Sequence, residues 1–470
     1  MKSVLAFDFG ASTGRAIKAQ FDGDKIQYEE IHRFDNIPIE KDGFICHDVD
    51  MITAEIKKAI EKAKDIDSLA FDTWGVDYGL LDESGRLIFP PVHYRDGRTK
   101  NALKAAYKKT SPDELYKKTG NQIMNINTLF QLISDENLKK AKTLLFMPDL
   151  FAYILTKKAV CEESIASTSQ MLNPVTKQWS EEILSLFGIE KGIFPPLVKS
   201  PSICGEYNGI KVITVAGHDT QCASAAMPAM SKGSAFLSCG TWSLIGCELE
   251  SPVLTEESRA LELSNELGTG NKINYLKNIS GLWLIQETRR DLAKKGKKYS
   301  YNELEMLARE SKPFKCFIDP DDEMLSAHGE LPEKIKAYCL KTGQTAPETV
   351  GETVRCIYES LALKYRFALE QISVCTEKQF DMLHILGGGT KDGFLCELTA
   401  DSINLPVTAG PIEATALGNI ILQLIALGEI KDIDEGRKII AKTESVKKFN
   451  PHHNAEWDKA FCRFVEILKK

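Results

Sequence analysis

Short apolar runs separated by turn-forming residues open the chain. Ser3 to Phe9 is almost wholly apolar, Arg15 to Phe21 alternates in part between apolar and polar positions, and Lys25 to Phe34 again has the character of a strand. Asp22-Gly23-Asp24 lies between the last two runs and is typical of a tight turn. The pattern predicts three consecutive strands arranged as a meander.

The periodicity then changes from that of strands to that of a helix. Apolar residues recur at helical spacing from Met51 to Lys64, where one face carries Ile52, Ile56, Ile60 and Ala63. An apolar run from Ser68 to Trp74 follows and predicts a further strand. This order of three strands, a helix and a strand differs from the strict strand–helix alternation of a dinucleotide-binding fold.

A comparable order begins again near the middle of the chain. Lys211 to Ala216 is predicted as a strand and Gln221 to Met227 as a helix, and Pro228 to Gly233 then interrupts the pattern with turn-forming residues. We place a domain boundary there, which divides the chain into an N-terminal domain at 1–230 and a C-terminal domain at 231–470.

The second half repeats the hairpin with which the first half opens. Ser234 to Ser238 and Thr241 to Glu248 are predicted strands joined by a tight glycine turn. Asp381 to Leu386 is a later strand that runs into three glycines, and Ala414 to Gly428 is a helix. A long amphipathic helix precedes both and is marked by Val354, Ile357, Leu361, Tyr365, Ala368 and Ile372. The two halves together indicate a duplicated α/β architecture with a cleft between them.

Composition narrows the range of partners. The 470 residues include 59 Lys and Arg against 66 Asp and Glu, a formal net charge of −7, with 43% hydrophobic and 27% charged residues. This is the composition of a globular protein, and its acidic balance argues against nucleic acid or an anionic membrane as the main partner. Asp8 interrupts the first apolar run before a signal peptide could form, and the apolar stretch from Ala416 to Gly428 is too short to span a bilayer.

The cysteines do not form a metal-binding pattern. The chain has 12 of them, scattered without a CxxC pair, and the nearest two are Cys239 and Cys247. Cysteines in this number and spacing are ordinary in a reducing cytoplasm, where they are buried as small apolar residues. We therefore expect a cytoplasmic protein. We also expect the chain to be a monomer or a homodimer.

Two short motifs near the N-terminus resemble those of other enzyme classes. Asp8-Phe9-Gly10 spells the DFG of protein kinases, but no glycine-rich loop, strand lysine or HRD loop precedes it. Gly10 to Gly14 matches the GxSxG elbow of serine hydrolases, with Ser12 as the nucleophile, yet a strand is predicted next instead of the required helix. Neither a P-loop nor a GxGxxG motif occurs in the chain.

Small and hydroxyl-bearing residues cluster in two turns, one in each half. Asp8 to Arg15 places an acidic residue before such a turn, and Ser238 to Thr241 sets hydroxyls around a glycine. Turns of this kind bring N–H and hydroxyl donors to a phosphate, and Asp8 would hold a hydrated Mg²⁺ beside it. An ordinary hairpin capped by Asp8 is the alternative for the first turn. Gly387 to Gly389 would either admit a flat ligand such as a nucleobase or serve as a packing turn.

Asp219 is the leading candidate for a catalytic base. It ends a predicted strand and begins a predicted helix, where N–H groups keep a carboxylate ionised and able to accept a proton from a hydroxyl. A simple helix cap is the alternative explanation for an aspartate at this position. His218 beside it is a candidate hydrogen-bond donor to a polyol.

Acidic and aromatic residues surround the end of the strand at Trp74. The string Asp72-Thr-Trp-Gly-Val-Asp-Tyr78 suits a sugar site, because carboxylates accept hydrogen bonds from hydroxyls and aromatic rings pack against the C–H faces of sugars. A buried tryptophan flanked by surface acids is the alternative. The segment from Tyr94 to Arg98 would either orient these acids or form a surface turn.

Taken in order, these segments resemble the FGGY family of carbohydrate kinases within the actin/hexokinase-like ATPase superfamily. DFGASTGR resembles the first phosphate loop, AGHDTQCASA the segment of the catalytic aspartate, SCGTWS the second phosphate loop, and ILGGGTKDG with AGPIEATALGN the adenosine segment. The resemblance implies an α/β fold of two ribonuclease-H-like domains with an interdomain cleft, and transfer of phosphate from ATP to a sugar.

The resemblance also implies roles for individual residues. It makes Asp219 the proton acceptor and Asp8 the residue that organises Mg²⁺. The sugar would be lined by Gly75, His218, Thr220 and Asn278, and ATP would be contacted by Ala11, Ser12, Thr13, Gly14, Arg15, Thr241, Gln286 and Gly388.

Further strings narrow the expected sugar. FDTWGVDYGLLD, YRDGRT and NTLFQL resemble members of the family that act on L-rhamnulose, with kinases of L-fuculose or L-xylulose as alternatives. Cys46-His47 departs from the tryptophan often found before the next aspartate, and Lys391-Asp392 stands where an amide pair often occurs. An ATPase switch like actin or a chaperone is the alternative from another class, and it would hydrolyse ATP without any sugar.

Overall fold

The computed structural model describes residues 1–10, 12–228, 231 and 233–469. The chain folds into two units. The first holds Met1–Ala229, Glu248–Tyr275 and Ala414–Glu444, and the second holds Met230–Cys247, Leu276–Glu413 and Ser445–Lys470. The chain thus passes from the first unit to the second near residue 230, returns twice to the first, and ends in the second.

The elements before residue 228 begin with the predicted meander, helix and strand. They are β1 (Lys2–Phe9), β2 (Thr13–Phe21), β3 (Ile26–Asp35), β4 (Ile39–Lys41), β5 (Phe44–Cys46), α1 (Val49–Ala63), β6 (Ser68–Thr73), β7 (Tyr78–Leu81), α2 (Ala102–Ala106), α3 (Pro112–Thr119), α4 (Thr128–Ile133), β8 (Thr143–Phe146), α5 (Met147–Thr156), β9 (Cys161–Glu162), α6 (Glu163–Ala166), β10 (Leu172–Asn173), β11 (Gln178–Trp179), α7 (Glu181–Phe187), β12 (Leu197–Val198), β13 (Ser202–Tyr207), β14 (Ile210–Thr214) and α8 (Asp219–Ala225).

The elements after residue 233 open with the second predicted hairpin. They are β15 (Ser234–Cys239), β16 (Trp242–Leu249), α9 (Glu256–Ala260), β17 (Ser264–Leu267), β18 (Ile273–Ser280), α10 (Trp283–Lys294), α11 (Tyr301–Glu310), α12 (Glu323–Ser326), α13 (Leu331–Lys341), α14 (Val350–Thr376), β19 (Met382–Leu386), α15 (Gly393–Ile403), β20 (Val407–Ala409), α16 (Ala414–Ala426), α17 (Ile433–Thr443), β21 (Lys447–Phe449) and α18 (Ala455–Ile467). Among the described residues, no helix is both long enough and apolar enough to cross a bilayer.

A six-stranded sheet in the order β13-β14-β6-β1-β2-β3 forms the centre of the first unit. β1 is antiparallel to β2 and parallel to β6, and β6 is parallel to β14. Three parallel strands therefore end at the same edge of the sheet. The helix α1 begins where Asp48 accepts a hydrogen bond from the Met51 N–H, and it buries Ile52 and Ile56 as its periodicity predicts.

The helices α8 and α16 pack against each other in the first unit, and α16 also contacts β1 and β6. Gly418 of α16 lies directly against the backbone carbonyl of Cys222 in α8, where a Cβ atom would overlap that oxygen. Close packing of these helix backbones therefore requires a glycine at this position.

The second unit contains a sheet in which β15 is antiparallel to β16 and parallel to β19. β19 is in turn parallel to β20, and β20 is antiparallel to β21. The helix α14 contains the predicted amphipathic segment and begins with a capping box between Thr349 and Glu352. It packs in a buried apolar core that includes Leu237, Phe317 and Ile385.

Candidate active site

Acidic residues meet at the carboxyl ends of the parallel strands of the first unit. Asp8 and Asp72 are register partners on β1 and β6, and Asp219 is the first residue of α8, shortly after β14 ends. The Thr73 N–H donates to the Gly217 carbonyl at 2.8 Å, which ties the end of β6 to the segment before α8. The predicted catalytic and metal-binding aspartates are therefore brought to one edge of one sheet.

Asp219 is accessible in spite of its position at the end of the sheet. Its side chain is 34% exposed, and its Oδ1 accepts a hydrogen bond from Thr220 Oγ1 at 3.2 Å. Partial burial raises the pKa of Asp219 and the charge of nearby His218 lowers it. The charge of Asp8 raises it further, and the net shift is upward. A carboxylate with a raised pKa that a ligand can reach is suited to accept a proton from a hydroxyl.

His218 connects Asp219 to a buried acid, Glu266. Its Nδ1 lies 3.0 Å from Glu266 Oε2, and its Nε2 lies 3.5 Å from Asp219 Oδ1. Burial lowers the pKa of His218, but the charges of Glu266 and Asp219 outweigh this effect and raise it. Gln221 donates to the same Glu266 oxygen at 2.9 Å and fixes that carboxylate. Glu266 belongs to β17 and carries no motif that could have identified it in the sequence.

Glu162 is another buried acid that the sequence did not indicate. Its Oε2 accepts hydrogen bonds from the backbone N–H of Gly217 at 2.9 Å and of Ile165 at 3.0 Å, and from Ser164 Oγ at 2.6 Å. These bonds hold the segment immediately before His218 against α6. Glu162 therefore positions the segment that leads into α8 and Asp219.

The interpretation of the acids around Trp74 as acceptors for sugar hydroxyls is wrong. Asp72 is 0% exposed, Asp77 is also buried, and Trp74 is only 6% exposed. Asn419 of α16 covers Asp72 by donating to its Oδ2 at 2.6 Å, while Oδ1 has no hydrogen-bond partner among the described residues. Burial and the charge of Asp8 raise the pKa of Asp72 well above its usual range.

The first predicted phosphate loop is a tight hairpin between β1 and β2. The Gly10 N–H donates to the Thr13 carbonyl at 2.9 Å, Ser12 is exposed, and the ring of Phe34 occupies the space where a Cβ of Gly14 would lie. Ala11, a predicted ATP contact, lies outside the described residues. The strand that follows directly confirms that this segment is not the elbow of a serine hydrolase, because that elbow leads into a helix.

Arg15 lies beside the acid that precedes this loop. Asp8 and Arg15 face each other across the hairpin, and the guanidinium forms an ion pair with the Asp8 carboxylate. A second carboxylate, that of Glu30, lies 3.9 Å from the same guanidinium. Arg15 therefore partly neutralises Asp8 in this structure.

The second unit contains three of the predicted ATP contacts. The β15–β16 hairpin is closed by the Gly240 N–H, which donates to the Trp242 carbonyl at 2.8 Å. Thr241 Oγ1 lies 3.5 Å from Gln286 Oε1 of α10. Gly389 packs on Cys239 at the end of β15, while Gly388 next to it has open space where a side chain would project. The arrangement leaves the backbone at Gly388 accessible to a ligand.

The remaining predicted sugar residues are placed in different units. Gly75 follows β6 in the first unit, and a Cβ on it would lie 3.2 Å from Thr168 Cγ2. Thr220 is buried in the first turn of α8. Asn278 lies half-buried on β18, in the part of that strand that belongs to the second unit.

Models of a known protein family match most of the chain. The model for the N-terminal domain of the FGGY family of carbohydrate kinases matches residues 3–224, and the model for its C-terminal domain matches residues 235–427. A rhamnulokinase of Bacteroides thetaiotaomicron is 39% identical over 100% of both chains. A rhamnulokinase of Enterococcus faecalis is 42% identical over 93% of this chain and 92% of its own.

Solved structures share the fold at low sequence identity. A ligand-bound xylulose kinase from Lactobacillus acidophilus superposes with a TM-score of 0.80 at 16% identity and covers 100% of this chain and 98% of its own. Plasmodium falciparum glycerol kinase with ADP gives a TM-score of 0.77 at 15% identity, over 100% and 97% of the two chains. The two-domain α/β fold class predicted from the sequence is therefore confirmed.

Proposed function

The chain belongs to the FGGY family of carbohydrate kinases, and on that premise we propose that it transfers the γ-phosphoryl group of ATP to the 1-hydroxyl of L-rhamnulose. The relatives named rhamnulokinase support this choice of sugar, because they are similar to this chain over nearly its whole length. The exposed Asp219 carboxylate beside His218 is the observation that carries the proposed chemistry.

In the proposed reaction, Asp219 accepts the proton of the sugar 1-hydroxyl as its oxygen forms a bond to the γ-phosphorus. The bond between that phosphorus and the β–γ bridging oxygen breaks, and the electron pair leaves with ADP. The two neighbouring acids are less suited to this role. Asp72 is fully buried with its pKa raised, and Asp8 is paired with Arg15.

The acidic edge also fits a divalent cation. Asp8, Asp72 and Asp219 are close enough to shift each other's pKa values, and Asp72 Oδ1 lacks a partner among the described residues. Carboxylate oxygens are the ligands that Mg²⁺ prefers, and Asp8 is the residue we assign to hold it. When bound, the ion would neutralise charge on the phosphate oxygens of ATP.

We base the proposed contacts to the two substrates on the resemblance to the family. We assign the sugar to Gly75, His218, Thr220 and Asn278. We assign ATP to Ala11, Ser12, Thr13, Gly14 and Arg15 of the first hairpin, and to Thr241, Gln286 and Gly388 of the second unit. The exposed Ser12 in the turn of the first hairpin and the open space beside Gly388 after β19 support the ATP assignments.

Glu266→Gln is expected to narrow the pH range of the enzyme at its acidic side. The substitution removes the negative charge that raises the pKa of His218, so a smaller fraction of the imidazole is cationic. Because the cationic imidazole lowers the pKa of Asp219, this pKa then rises. The base is then protonated at a higher pH, and the acidic limb of kcat/KM should move upward by about one pH unit. Profiles of the variant and of a control at an exposed glutamate, Glu257→Gln, would be compared with wild type. Superimposable profiles of all three proteins would refute the role of Glu266.

The choice of sugar is tested by the rate of ADP formation with MgATP and a panel of sugars. The panel contains L-rhamnulose, L-fuculose, L-xylulose, D-xylulose and glycerol, with a blank that lacks sugar. We expect the highest kcat/KM with L-rhamnulose and, by phosphorus NMR of the product, a phosphate coupled to the protons of C1. A higher kcat/KM with another ketose would show that L-rhamnulose is not the preferred sugar, but it would still support a sugar kinase. Equal rates in every well, blank included, would instead identify an ATPase switch.

The cysteines support a location in a reducing compartment. All 12 are free thiols, and most of them are buried. We propose the cytoplasm, where thiols stay reduced and ATP is available.

A further inference from the structure

A buried carboxylate lies two residues beyond Gly75 and accepts four hydrogen bonds. Asp77 Oδ2 accepts from His47 Nε2 at 2.7 Å, from Trp74 Nε1 at 3.0 Å and from the Tyr94 backbone N–H at 3.2 Å. Its Oδ1 accepts from Gln131 Nε2 at 3.0 Å. Burial raises the pKa of Asp77, but the contacts with His47 and Gln131 outweigh this effect, so the net shift is downward. The carboxylate is thus ionised and fixed from several directions.

Four aromatic rings form a continuous stack beside this carboxylate. His47 lies between Trp74, at 4.6 Å between ring centroids, and His93, at 4.7 Å, and His93 in turn stacks on Tyr94 at 4.6 Å. Burial lowers the pKa of His93 to about 4, so this ring is neutral. The Nδ1 of His47 has no hydrogen-bond partner among the described residues, which leaves its Nε2–H bond to Asp77 as the polar contact that orients the ring.

These residues do not form a metal site. His47, Asp77 and His93 are close enough to share an ion, but both oxygens of Asp77 already accept N–H donors, and His93 Nδ1 accepts from the Arg95 N–H at 3.0 Å. The cluster acts as a hydrogen-bonded anchor.

The anchor holds a strained turn between Gly75 and Asp77. The Asp77 N–H donates to the Gly75 carbonyl at 2.9 Å, and Val76 between them has φ +68°. A turn of three residues with a positive φ at its centre is rare, and a β-branched residue is disfavoured there. Such a conformation persists only when the surrounding contacts impose it.

Contacts on both sides of Val76 impose this conformation. Its N–H donates to Thr168 Oγ1 at 3.1 Å, and its carbonyl accepts from Thr128 Oγ1 at 2.7 Å. Gln131 Nε2 lies 3.3 Å from the same carbonyl, and it is the group that also donates to Asp77. The turn and the buried carboxylate are therefore one connected network.

The turn adjoins the segment of the catalytic base. Thr73, two residues before Gly75, donates to the Gly217 carbonyl and forms a parallel bridge with His218. A change in the turn would therefore alter the position of Gly75 relative to His218 and Asp219, while the hairpin of the first phosphate loop would keep its own hydrogen bonds.

We propose that Asp77 and His47 are positioning residues that hold the Gly75–Val76 peptide in its strained turn and thereby set the affinity for the sugar. The inference rests on the proposed function, because it takes the sugar to bind at Gly75. It predicts that loss of these residues raises the KM of the sugar and leaves the KM of ATP nearly unchanged. It also predicts that the effect depends on strain at Val76.

The test measures both KM values in Asp77→Asn. The matched control is Asp82→Asn in the turn after β7, where the aspartate side chain is 38% exposed. The amide NH₂ of asparagine cannot accept hydrogen bonds. The N–H groups that donate to one of the two Asp77 oxygens therefore lose their acceptor. We expect the KM of the sugar to rise about tenfold or more, with the KM of ATP within about twofold of wild type. His47→Phe keeps a ring in the stack but removes one donor, and a smaller rise of the same kind is expected.

A double variant separates positioning from simple loss of stability. Adding Val76→Gly to Asp77→Asn should restore much of the sugar KM, because glycine adopts a positive φ without the network. Parallel increases in both KM values, or no recovery in the double variant, would overturn the inference. An unchanged KM of the sugar in both Asp77→Asn and His47→Phe would also overturn the inference. Sugar-dependent activity of the wild type would still support the proposed function in that case. A wild type without any sugar-dependent turnover would refute the proposed function and this inference together.

Discussion

Asp219→Asn is expected to reduce kcat for phosphoryl transfer by about a thousandfold or more, while the protein keeps its fold and its affinity for ATP. Asparagine has the shape of aspartate, but its neutral amide cannot take the proton of the attacking hydroxyl. The carboxylate is 34% exposed and is the first residue of α8, so a substrate hydroxyl can reach it.

Neighbouring acids cannot compensate for this loss. Asp72 is completely buried under Asn419, and Asp8 forms an ion pair with Arg15. The fold should survive, because among the described residues the Asp219 carboxylate bonds to Thr220 and His218, its neighbours in the chain.

The measurement compares kcat, the thermal unfolding midpoint and the binding of a fluorescent ATP analogue in wild type and variant. Asp434→Asn, at an exposed aspartate in the first turn of α17, is the matched control and should behave like wild type. A kcat of Asp219→Asn near that of the control would show that Asp219 is not the base.

Gly418→Ala is expected to lower the free energy of unfolding by about 3 kcal/mol, the upper part of the range for overpacking a core. Helix propensity alone would favour alanine by about 1 kcal/mol. The added methyl group, however, would overlap the backbone carbonyl of Cys222 in α8. Because a backbone atom cannot rotate away as a side chain can, the two helices must separate.

Activity should fall together with stability in this variant. α8 carries Asp219 at its N-terminus, and α16 carries Asn419, which donates to Asp72. Separation of the two helices therefore displaces both sides of the acidic edge.

Urea denaturation of Gly418→Ala is to be compared with that of Gly192→Ala, a glycine with open space around it and no positive φ. The control should change the free energy of unfolding by no more than about 0.5 kcal/mol. An unfolding midpoint of Gly418→Ala at or above that of wild type would contradict the packing described for α8 and α16.

Local patterns in the sequence predict much of the fold. Both hairpins, α1, β6, α14 and α16 lie where the periodicity of apolar residues places them, with ends that differ by a few residues. The short pair β4 and β5 was missed, because two strands of three residues each are too short to show a period. Asp219 stood out because a strand end and a helix start coincide there.

Contacts between distant parts of the chain could not be predicted in this way. Glu266 reaches His218, and Asn419 reaches Asp72, only because the folded first unit places β17 and α16 against the strand ends. The same limit explains why the string from Asp72 to Tyr78 suggests a sugar site. Nothing in the string itself shows that Gln131 and the stack around His47 bury Asp77.

The central claim is that Asp219 is the base for phosphoryl transfer from ATP to a sugar. ADP release by wild type and Asp219→Asn, each with and without L-rhamnulose, tests it most directly. We predict rapid release by wild type only when the sugar is present, and almost none by the variant under either condition. Release by wild type at the same rate without sugar, or by the variant at a rate near that of wild type, would contradict the claim.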